Sequence, residues 1–420
     1  MNAALTAHPA ALSIEQLDGP VTPMRIAVVT ETYPPEVNGV ALTLAKMVEG
    51  LRSRQHSLQL IRPTQPVVDS QRDADPDELL TAGLPIPCYP GLRLGLPAKR
   101  LLVRQWSTSR PDVVHIATEG PLGWSALHAA RQLKLPISTD FRTNFHAYSS
   151  HYGAAWLHRT ILGYLRKFHN RASCTTVPTS ALAQELSSWG FERLHVISRG
   201  VDTQRFCPSH RSPALRQQWG AGPNDLVALY VGRLAPEKNL GLVARAYEAM
   251  ARRNPRVRLV IVGDGPQRQA LDQLCPGAHF AGMRSGLDLS AHYASADLFI
   301  FPSLSETFGN VTLEAMASGL PVLAYEHAAA AELIRPGQSG LSVPVGQEEA
   351  YVAHAEALSA DSDRCRLMGL AARQVALRLD WASIIGQFEG LLRRTISEHE
   401  GRQEKNQRVA SSLHISAAHH

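Results

Sequence analysis

Two carboxylates, Glu306 and Glu314, flank the short stretch Phe308-Gly309-Asn310. The apolar run before Glu306 predicts a buried strand, and the stretch after Gly309 predicts a helix with Asn310 as its N-cap. A helix N-terminus presents unpaired N–H groups and a partial positive charge that suit a phosphate, and Gly309 would allow a close backbone approach. A carboxylate can accept hydrogen bonds from two adjacent hydroxyls, as on a ribose. A nucleotide sugar would fit this arrangement, with its phosphate at the helix start, its ribose at Glu314 and its sugar, another polyol, at Glu306. The alternative is two surface acids, one of which stabilises a helix start.

Two cations follow an earlier predicted strand, in the segment VGRLAPEKNLG. Arg233 comes just after the strand and Lys238 precedes the next helix, so both are predicted to project into the same cleft. Two such cations could neutralise a diphosphate leaving group without a metal ion. The alternative is a pair of solvated charges on a loop.

A third segment, VGDGPQ, places Gly263 and Gly265 at the exit of another predicted strand. It fails as a dinucleotide-binding fingerprint because Arg268 occupies the position of the third glycine. We therefore interpret it as a tight turn that lines a pocket.

Apolar runs alternate with helical patterns along most of the chain, which predicts parallel strands joined by crossover helices. After an irregular segment over residues 1–23, one such domain is expected over 24–207 and a second over 208–379, with residues 208–225 as a polar linker. The fold class is therefore α/β, with two Rossmann-like, doubly wound domains and a cleft between them. Ligands of such sheets bind beyond the carboxyl ends of the strands.

Composition and charge narrow the class of protein. The five cysteines are far apart and show no metal-ligand spacing, which favours reduced thiols in a cytosolic chain. We find neither a signal-peptide pattern nor an apolar stretch long enough to span a bilayer.

The net charge is +5, and residues 93–200 hold 14 Lys and Arg against 5 Asp and Glu. This basic first half predicts an anionic partner, such as a membrane or a phosphorylated ligand, whereas nucleic acid is disfavoured because no aromatic-rich basic motif is present.

In combination these motifs resemble the retaining glycosyltransferases of family 4, which have the GT-B fold. The resemblance rests on GRLAPEKN, on Gly263-Asp264-Gly265 and on the two glutamates separated by seven residues in PSLSETFGNVTLEAMASGLPV. The segment MRIAVVTETYPPEVNGVALTLAKMVEGL is similar to the family's first strand, glycine loop and helix, and PDVVHIATEGPLG is similar to its acceptor-side strand and loop. The helix over 380–399 is similar to the one that crosses back onto the first domain, and residues 400–420 are predicted to be a disordered tail.

The resemblance implies a role for each matching residue. Arg233 and Lys238 would hold the diphosphate, Glu314 the ribose hydroxyls and Glu306 the transferred sugar. Further donor contacts would come from residues around the two glycine loops and the helix start, namely Gly39, Gly263, Gly265, Phe308, Gly309 and Asn310. No metal and no cofactor would be required, and the leaving phosphate would accept the proton of the acceptor.

One position departs from the family pattern. Many members carry a histidine in a short stretch of the first domain, where this chain has Arg142 in TDFRTNFHAYSSHYG. We expect Arg142 to face the cleft as a catalytic residue that donates hydrogen bonds to a sugar, a phosphate or an anionic acceptor. The alternative is an ion pair with Asp140 or Glu119 that only shapes the loop. His146 is a further candidate.

The function that these motifs favour is transfer of a hexose from a nucleotide-diphosphate sugar to a lipid or glycan acceptor. GDP-mannose is the favoured donor and UDP-glucose the next. The alternatives are a doubly wound NAD-dependent oxidoreductase and a non-catalytic nucleotide-sugar binding protein. We expect a cytoplasmic location, with peripheral attachment to an anionic surface at the inner face of the cell membrane through the helix that contains Arg159, Arg166, Lys167 and Arg171. A helix packed on the sheet with a solvated basic face is an equal alternative.

Overall fold

The computed structural model describes residues 22–36, 39–65, 69–70, 75–85, 93–142 and 155–417, with the backbone alone for 155–158 and 406–417. Within these ranges no helix combines the length and the hydropathy needed to cross a bilayer.

The first domain is built on a seven-stranded parallel sheet and a separate two-stranded antiparallel hairpin. The strands are β1 Arg25–Val29, β2 Ser57–Pro63, β3 Glu78–Thr81, β4 Gly83–Pro85, β5 Arg93–Gly95, β6 Val113–Ile116, β7 Ile137–Asp140, β8 Cys174–Val177 and β9 Leu194–Val196. The sheet order is β3-β2-β1-β6-β7-β8-β9, and β4 pairs with β5. The central strands are buried along their length, as expected where helices cover both faces of a parallel sheet.

Among the described residues, five helices connect these strands. They are α1 Gly39–Ser53, α2 Lys99–Thr108, α3 Pro121–Gln132, α4 Ala155–His169 and α5 Ser180–Ser188. Side chains of α2, α3 and α4 form a core on one face of the sheet, and α1 contributes to a separate core on the other face. The predicted alternation of strands and helices is therefore confirmed, although the short strands β3 to β5 and helix α2 carried no sequence signal that we recognised.

The second domain repeats the design with six parallel strands in the order β12-β11-β10-β13-β14-β15. These strands are β10 Val227–Val231, β11 Arg258–Val262, β12 His279–Gly282, β13 Leu298–Phe301, β14 Val322–Tyr325 and β15 Gly340–Val343. Its helices are α6 Pro213–Gln218, α7 Leu240–Arg253, α8 Arg268–Leu274, α9 Gly286–Ser295, α10 Asn310–Ala317, α11 Ala328–Leu333, α12 Glu348–Ser359 and α13 Ser362–Leu377, with short 3-10 turns at Pro208–His210 and Pro236–Lys238. One large hydrophobic core joins the sheet to the helices.

The prediction of a polar linker over 208–225 was wrong, because this segment is folded onto the second domain. The Arg216 side chain of α6 is buried, and its guanidinium donates hydrogen bonds to the Ser295 carbonyl and to Asp297 Oδ2, each at 2.8 Å. The neighbouring Trp219 joins the hydrophobic core. Polar composition misled the prediction because these polar groups are paired internally.

The last helix, α14, runs from Trp381 to Ala417 and crosses from the second domain back to the first. Its residues Ile384, Ile385 and Phe388 pack in the same core as Met24 and Ile26 of the first domain. These contacts agree with the crossing predicted for 380–399.

The disordered tail predicted for 400–420 was wrong over residues 400–417, which continue α14, whereas 418–420 lie outside the described residues. His399 Nε2 lies 3.0 Å from the Lys134 carbonyl oxygen, and the Gln403 amide donates to the same oxygen at 3.1 Å. Once packing has fixed the first turns, each further residue adds a hydrogen bond at little cost. Polarity alone was therefore a poor guide to disorder here.

Candidate active site

Glu306 lies in the loop that leaves β13, and its carboxylate is held by two neighbours. The Lys238 ammonium lies 2.5 Å from Glu306 Oε1, and the Ser303 hydroxyl donates to the same oxygen at 2.9 Å. The Glu306 and Lys238 side chains are only 17 % and 15 % exposed. The structure thus brings together an acid and a cation that the sequence had placed on separate loops, and their pairing leaves no uncompensated charge at this point of the site.

Helix α10 begins directly beside this ion pair. Its N-cap is Gly309, with φ +86°, and the helix starts at Asn310, so the prediction of Asn310 as the N-cap was wrong by one residue. Glycine is favoured here because the left-handed backbone strains other residues. A Cβ at position 309 would also lie 3.4 Å from Glu306 Cγ. The positive end of α10 is therefore next to the Glu306 carboxylate.

Glu314 lies one turn further along α10, and a hydrogen bond from Tyr293 holds its carboxylate in place. The Tyr293 hydroxyl donates a 2.9 Å hydrogen bond to Glu314 Oε2. Burial raises the pKa of the Glu314 carboxyl above its usual value, against the hydrogen bond from Tyr293 and the charge of Arg205, which lower it. A carboxylate held in this way gains from further hydroxyl donors, as the two hydroxyls of a ribose would provide.

Arg233 is also paired, but its partner is one that the sequence did not suggest. Its guanidinium lies 2.5 Å from Glu237 Oε1, and its side chain is 67 % exposed. Burial raises the pKa of Glu237. The hydrogen bond from Arg233, a backbone hydrogen bond at Glu237 itself and the charges of Arg233 and Lys238 outweigh burial and hold the pKa below its usual value. An exposed pair of this kind is weak and can be rearranged by an incoming anion.

The two glycines Gly263 and Gly265 allow two strand-exit loops to touch. A Cβ at Gly263 would lie 1.9 Å from the Gly232 carbonyl oxygen, and one at Gly265 would lie 2.4 Å from the Leu234 carbonyl oxygen. The loops are also joined by the Leu234 N–H, which donates to the Asp264 carbonyl at 2.9 Å. These glycines therefore set the backbone of the loop that carries Arg233, and direct donor contact by them stays a prediction.

Gly39 marks the point where the first domain approaches α10. It is the first residue of α1, and a Cβ there would lie 3.8 Å from the Asn310 side-chain nitrogen. The N-termini of α1 and α10 therefore face each other across the cleft. Two positive helix ends at one place favour an anionic ligand.

Arg142 does not point freely into this cleft. Its side chain is buried, and its guanidinium is paired with Asp140, which also lies 3.5 Å from Arg199. Burial would raise the pKa of Asp140, but the charges of Arg142 and Arg199 overcome it and lower the pKa to about 2. This geometry favours the alternative in which Arg142 shapes the loop, whereas His146 lies outside the described residues.

Replacement of Arg142 by alanine is therefore expected to destabilise the fold. Removing one partner of a buried ion pair typically costs about 3–5 kcal/mol, and Arg199 remains to offset part of that. Because the folded-state pKa of Asp140 is lowered, this stabilisation is present above pH 4 and is lost as the pH falls towards 2. Urea unfolding at pH 7 and pH 3 would measure it, with the exposed Arg131→Ala variant as the control. Unchanged stability together with lost transfer would instead place Arg142 at a substrate, as the sequence predicted.

Ser303, Tyr325 and His327 also line the site, although the sequence analysis did not predict them. A recess beside Glu306 is lined by Ser303, Tyr325 and His327, together with Phe308 and Thr312. Ser303 comes two residues after β13, and His327 two residues after β14. The strand-exit rule that selected Glu306 would have found both if it had been applied to every strand.

Comparison of the sequence with known proteins identifies the family of this chain. The model of Glycosyltransferase Family 4 matches residues 37–205, and that of Glycosyl transferases group 1 matches residues 225–361. A GDP-mannose-dependent alpha-mannosyltransferase of Mycobacterium tuberculosis (strain CDC 1551 / Oshkosh) is 37 % identical over 371 residues, which cover 87 % of this chain and 96 % of that protein. This chain is a family 4 glycosyltransferase.

Two further likenesses add detail to the family assignment. An alpha-monoglucosyldiacylglycerol synthase of Acholeplasma laidlawii is 27 % identical over 339 residues, covering 76 % of this glycosyltransferase and 84 % of that protein. A crystal structure of Anabaena Alr3699/HepE in complex with UDP aligns with a TM-score of 0.71 and 22 % identity, over 88 % of this chain and 100 % of the other. The predicted GT-B fold of two Rossmann-like domains is thus confirmed, and the dehydrogenase alternative is excluded by the family.

Proposed function

We propose that this glycosyltransferase moves mannose from GDP-mannose to a hydroxyl of a lipid or glycan acceptor, with retention of the anomeric configuration. The observation that carries the proposal is the Glu306–Lys238 ion pair at the positive end of α10. It places the acid that we propose for the sugar beside the cation that we propose for the phosphate. The similarity to a GDP-mannose-dependent relative supports the choice of donor, and the name of the Acholeplasma relative supports a lipid acceptor.

The proposed chemistry uses the donor's own phosphate as the base. The bond between the sugar C1 and the diphosphate oxygen breaks, and the acceptor oxygen bonds to C1 on the same face. The acceptor proton passes to the departing phosphate. Lys238, Arg233 and the N-termini of α1 and α10 would stabilise the negative charge that develops on the diphosphate, while Glu306 would orient the sugar and Glu314 the ribose.

A comparison of turnover with two nucleotide-sugar donors tests this proposal. The purified protein would be incubated with GDP-mannose or UDP-glucose and a lipid extract, and release of nucleoside diphosphate would be followed with and without a metal chelator. We expect faster release from GDP-mannose, no effect of the chelator and an α-linked product by NMR. Preference for UDP-glucose would overturn the choice of donor, and loss of activity with chelator would overturn metal independence. A product of inverted configuration would overturn the mechanism.

A basic face of the first domain supports attachment to an anionic membrane. Helix α4, which was predicted to be amphipathic, buries Leu165 and Phe168 in the domain, and its exposed side chains among residues 159–169 include Arg159, Arg166 and Lys167. Helix α2 contributes to the same core as α4. Both helices carry exposed basic and apolar side chains. These side chains are Lys99, Arg100, Leu101, Arg104, Arg159, Tyr164, Arg166 and Lys167.

Charge reversal at Arg100 and Arg104 is expected to weaken binding to anionic liposomes about 30-fold or more. Each basic residue near such a surface contributes roughly 1 kcal/mol, and reversal adds repulsion to that loss. Co-sedimentation with and without anionic lipid would measure the effect, with the reversal of Arg252 and Arg253 on α7 as the matched control. Equal binding by both variants, or binding indifferent to lipid charge, would contradict this attachment.

A further inference from the structure

A glutamate of the second domain reaches the first domain outside the donor-binding residues. Glu332, on α11, accepts hydrogen bonds from Ser180, the first residue of α5. The Ser180 hydroxyl lies 2.7 Å from Oε1 and 2.6 Å from Oε2, and the Ser180 N–H donates to Oε2 at 3.1 Å. The carboxylate of one domain therefore binds the positive N-terminus of a helix in the other.

In the second domain, a backbone hydrogen bond connects the helix that carries Glu332 to the loop that carries Glu306. The Ala329 N–H, in the first turn of α11, donates to the Phe308 carbonyl at 2.8 Å. Glu332 lies three residues further along the same short helix. A shift of α11 would therefore move both the Phe308 backbone and the carboxylate that holds the first domain.

On the first-domain side, the contact lies at the edge of the sheet that faces the cleft. Helix α5 follows β8, and β8 pairs with β7, whose last residue is Asp140. The domains also approach each other where Gly39 meets Asn310. The Glu332–Ser180 contact is thus a second bridge across the same cleft.

We propose that Glu332 is a positioning residue that holds the cleft closed during transfer, by binding the start of α5 while its helix supports the Glu306 loop. Both partners are exposed, so water competes with the contact and the cleft can reopen for product release. The proposal rests on the proposed transfer reaction but needs no particular sugar or acceptor.

The Glu332→Ala variant is expected to lower kcat about tenfold and to weaken binding of GDP several-fold, because a nucleotide that favours the closed cleft binds less tightly when closure is lost. Ser180→Ala should lower kcat less, since the backbone N–H remains. Combined with Glu332→Ala it should add nothing, because each acts through the other. The Glu356→Ala variant, which changes an exposed glutamate of α12, should behave as the wild type.

Two measurements decide the matter. Steady-state kinetics with whichever donor the wild type uses would test the effect on turnover. Small-angle scattering with and without GDP would test closure without any acceptor, so it remains decisive if no turnover is found and the proposed function fails. We expect GDP to compact the wild type and Glu356→Ala but not Glu332→Ala. Equal compaction in all three, kcat within twofold of the wild type, or additive losses in the double variant would each overturn the role of Glu332.

Discussion

Replacement of Glu306 by glutamine is expected to lower turnover about a hundredfold or more. Single electrostatic groups at a reacting centre contribute roughly 3–4 kcal/mol to transition-state stabilisation. Glutamine keeps the shape and one acceptor oxygen for the Ser303 hydroxyl, so the loop should fold as before. What is lost is the negative charge next to Lys238 and to the place that we propose for the sugar.

The same variant should bind free GDP as well as the wild type does, or slightly more tightly. Lys238 is paired with Glu306, and the neutral glutamine would leave that cation available to the diphosphate. Calorimetric titration with GDP and a turnover assay would separate the two effects, with the exposed Glu356→Gln as the matched control. Normal turnover in Glu306→Gln would remove Glu306 from the chemistry.

Replacement of Lys238 by alanine is expected to weaken binding of GDP about 10- to 100-fold and to leave binding of guanosine unchanged. A hydrogen bond to a charged group contributes roughly 1.5–3 kcal/mol, and only the diphosphate of GDP can use this one. Turnover should fall as well, because the departing diphosphate loses a cation. The remaining Glu306 carboxylate, only 17 % exposed, would also lose its ion pair, which adds to the loss.

The comparison of GDP with guanosine is the decisive measurement for Lys238. Calorimetry would give both affinities for the wild type, for Lys238→Ala and for Lys238→Arg, which keeps the charge. We expect the arginine variant to recover part of the affinity for GDP. An equal loss for GDP and guanosine would show that Lys238 supports the fold of the site instead of contacting phosphate.

The residues of the site could be predicted from the sequence because strand exits mark the ligand edge of a parallel sheet. Glu306, Arg233 and Lys238 were selected on this ground. Glu306 and Arg233 lie on loops at that edge, and Lys238 ends a short 3-10 turn there. Their partners could not be predicted, because pairing depends on side-chain directions that spacing does not encode. Glu237 was passed over for this reason, although it compensates Arg233.

Arg142 shows the same limit in the first domain. Its position after β7 was predicted, but the neighbouring Asp140 and the distant Arg199 decide where its guanidinium lies. The sequence offered the Arg142–Asp140 pair as an alternative, but it gives no sign that Arg199, after β9, joins that pair. The fold was accessible from local patterns, whereas the charge network required the long-range contacts.

The return of α14 to the first domain has a consequence for synthesis on the ribosome. Residues Met24 and Ile26 emerge early, yet the partners that complete their core, Ile384 and Phe388, emerge more than three hundred residues later. Domains usually fold in order as they leave the ribosome, but this one keeps an apolar face open until α14 has been synthesised. The second domain, whose core lies between Val201 and Ala376, can close first. The chain therefore has to protect its earliest segment from aggregation until its last helix arrives.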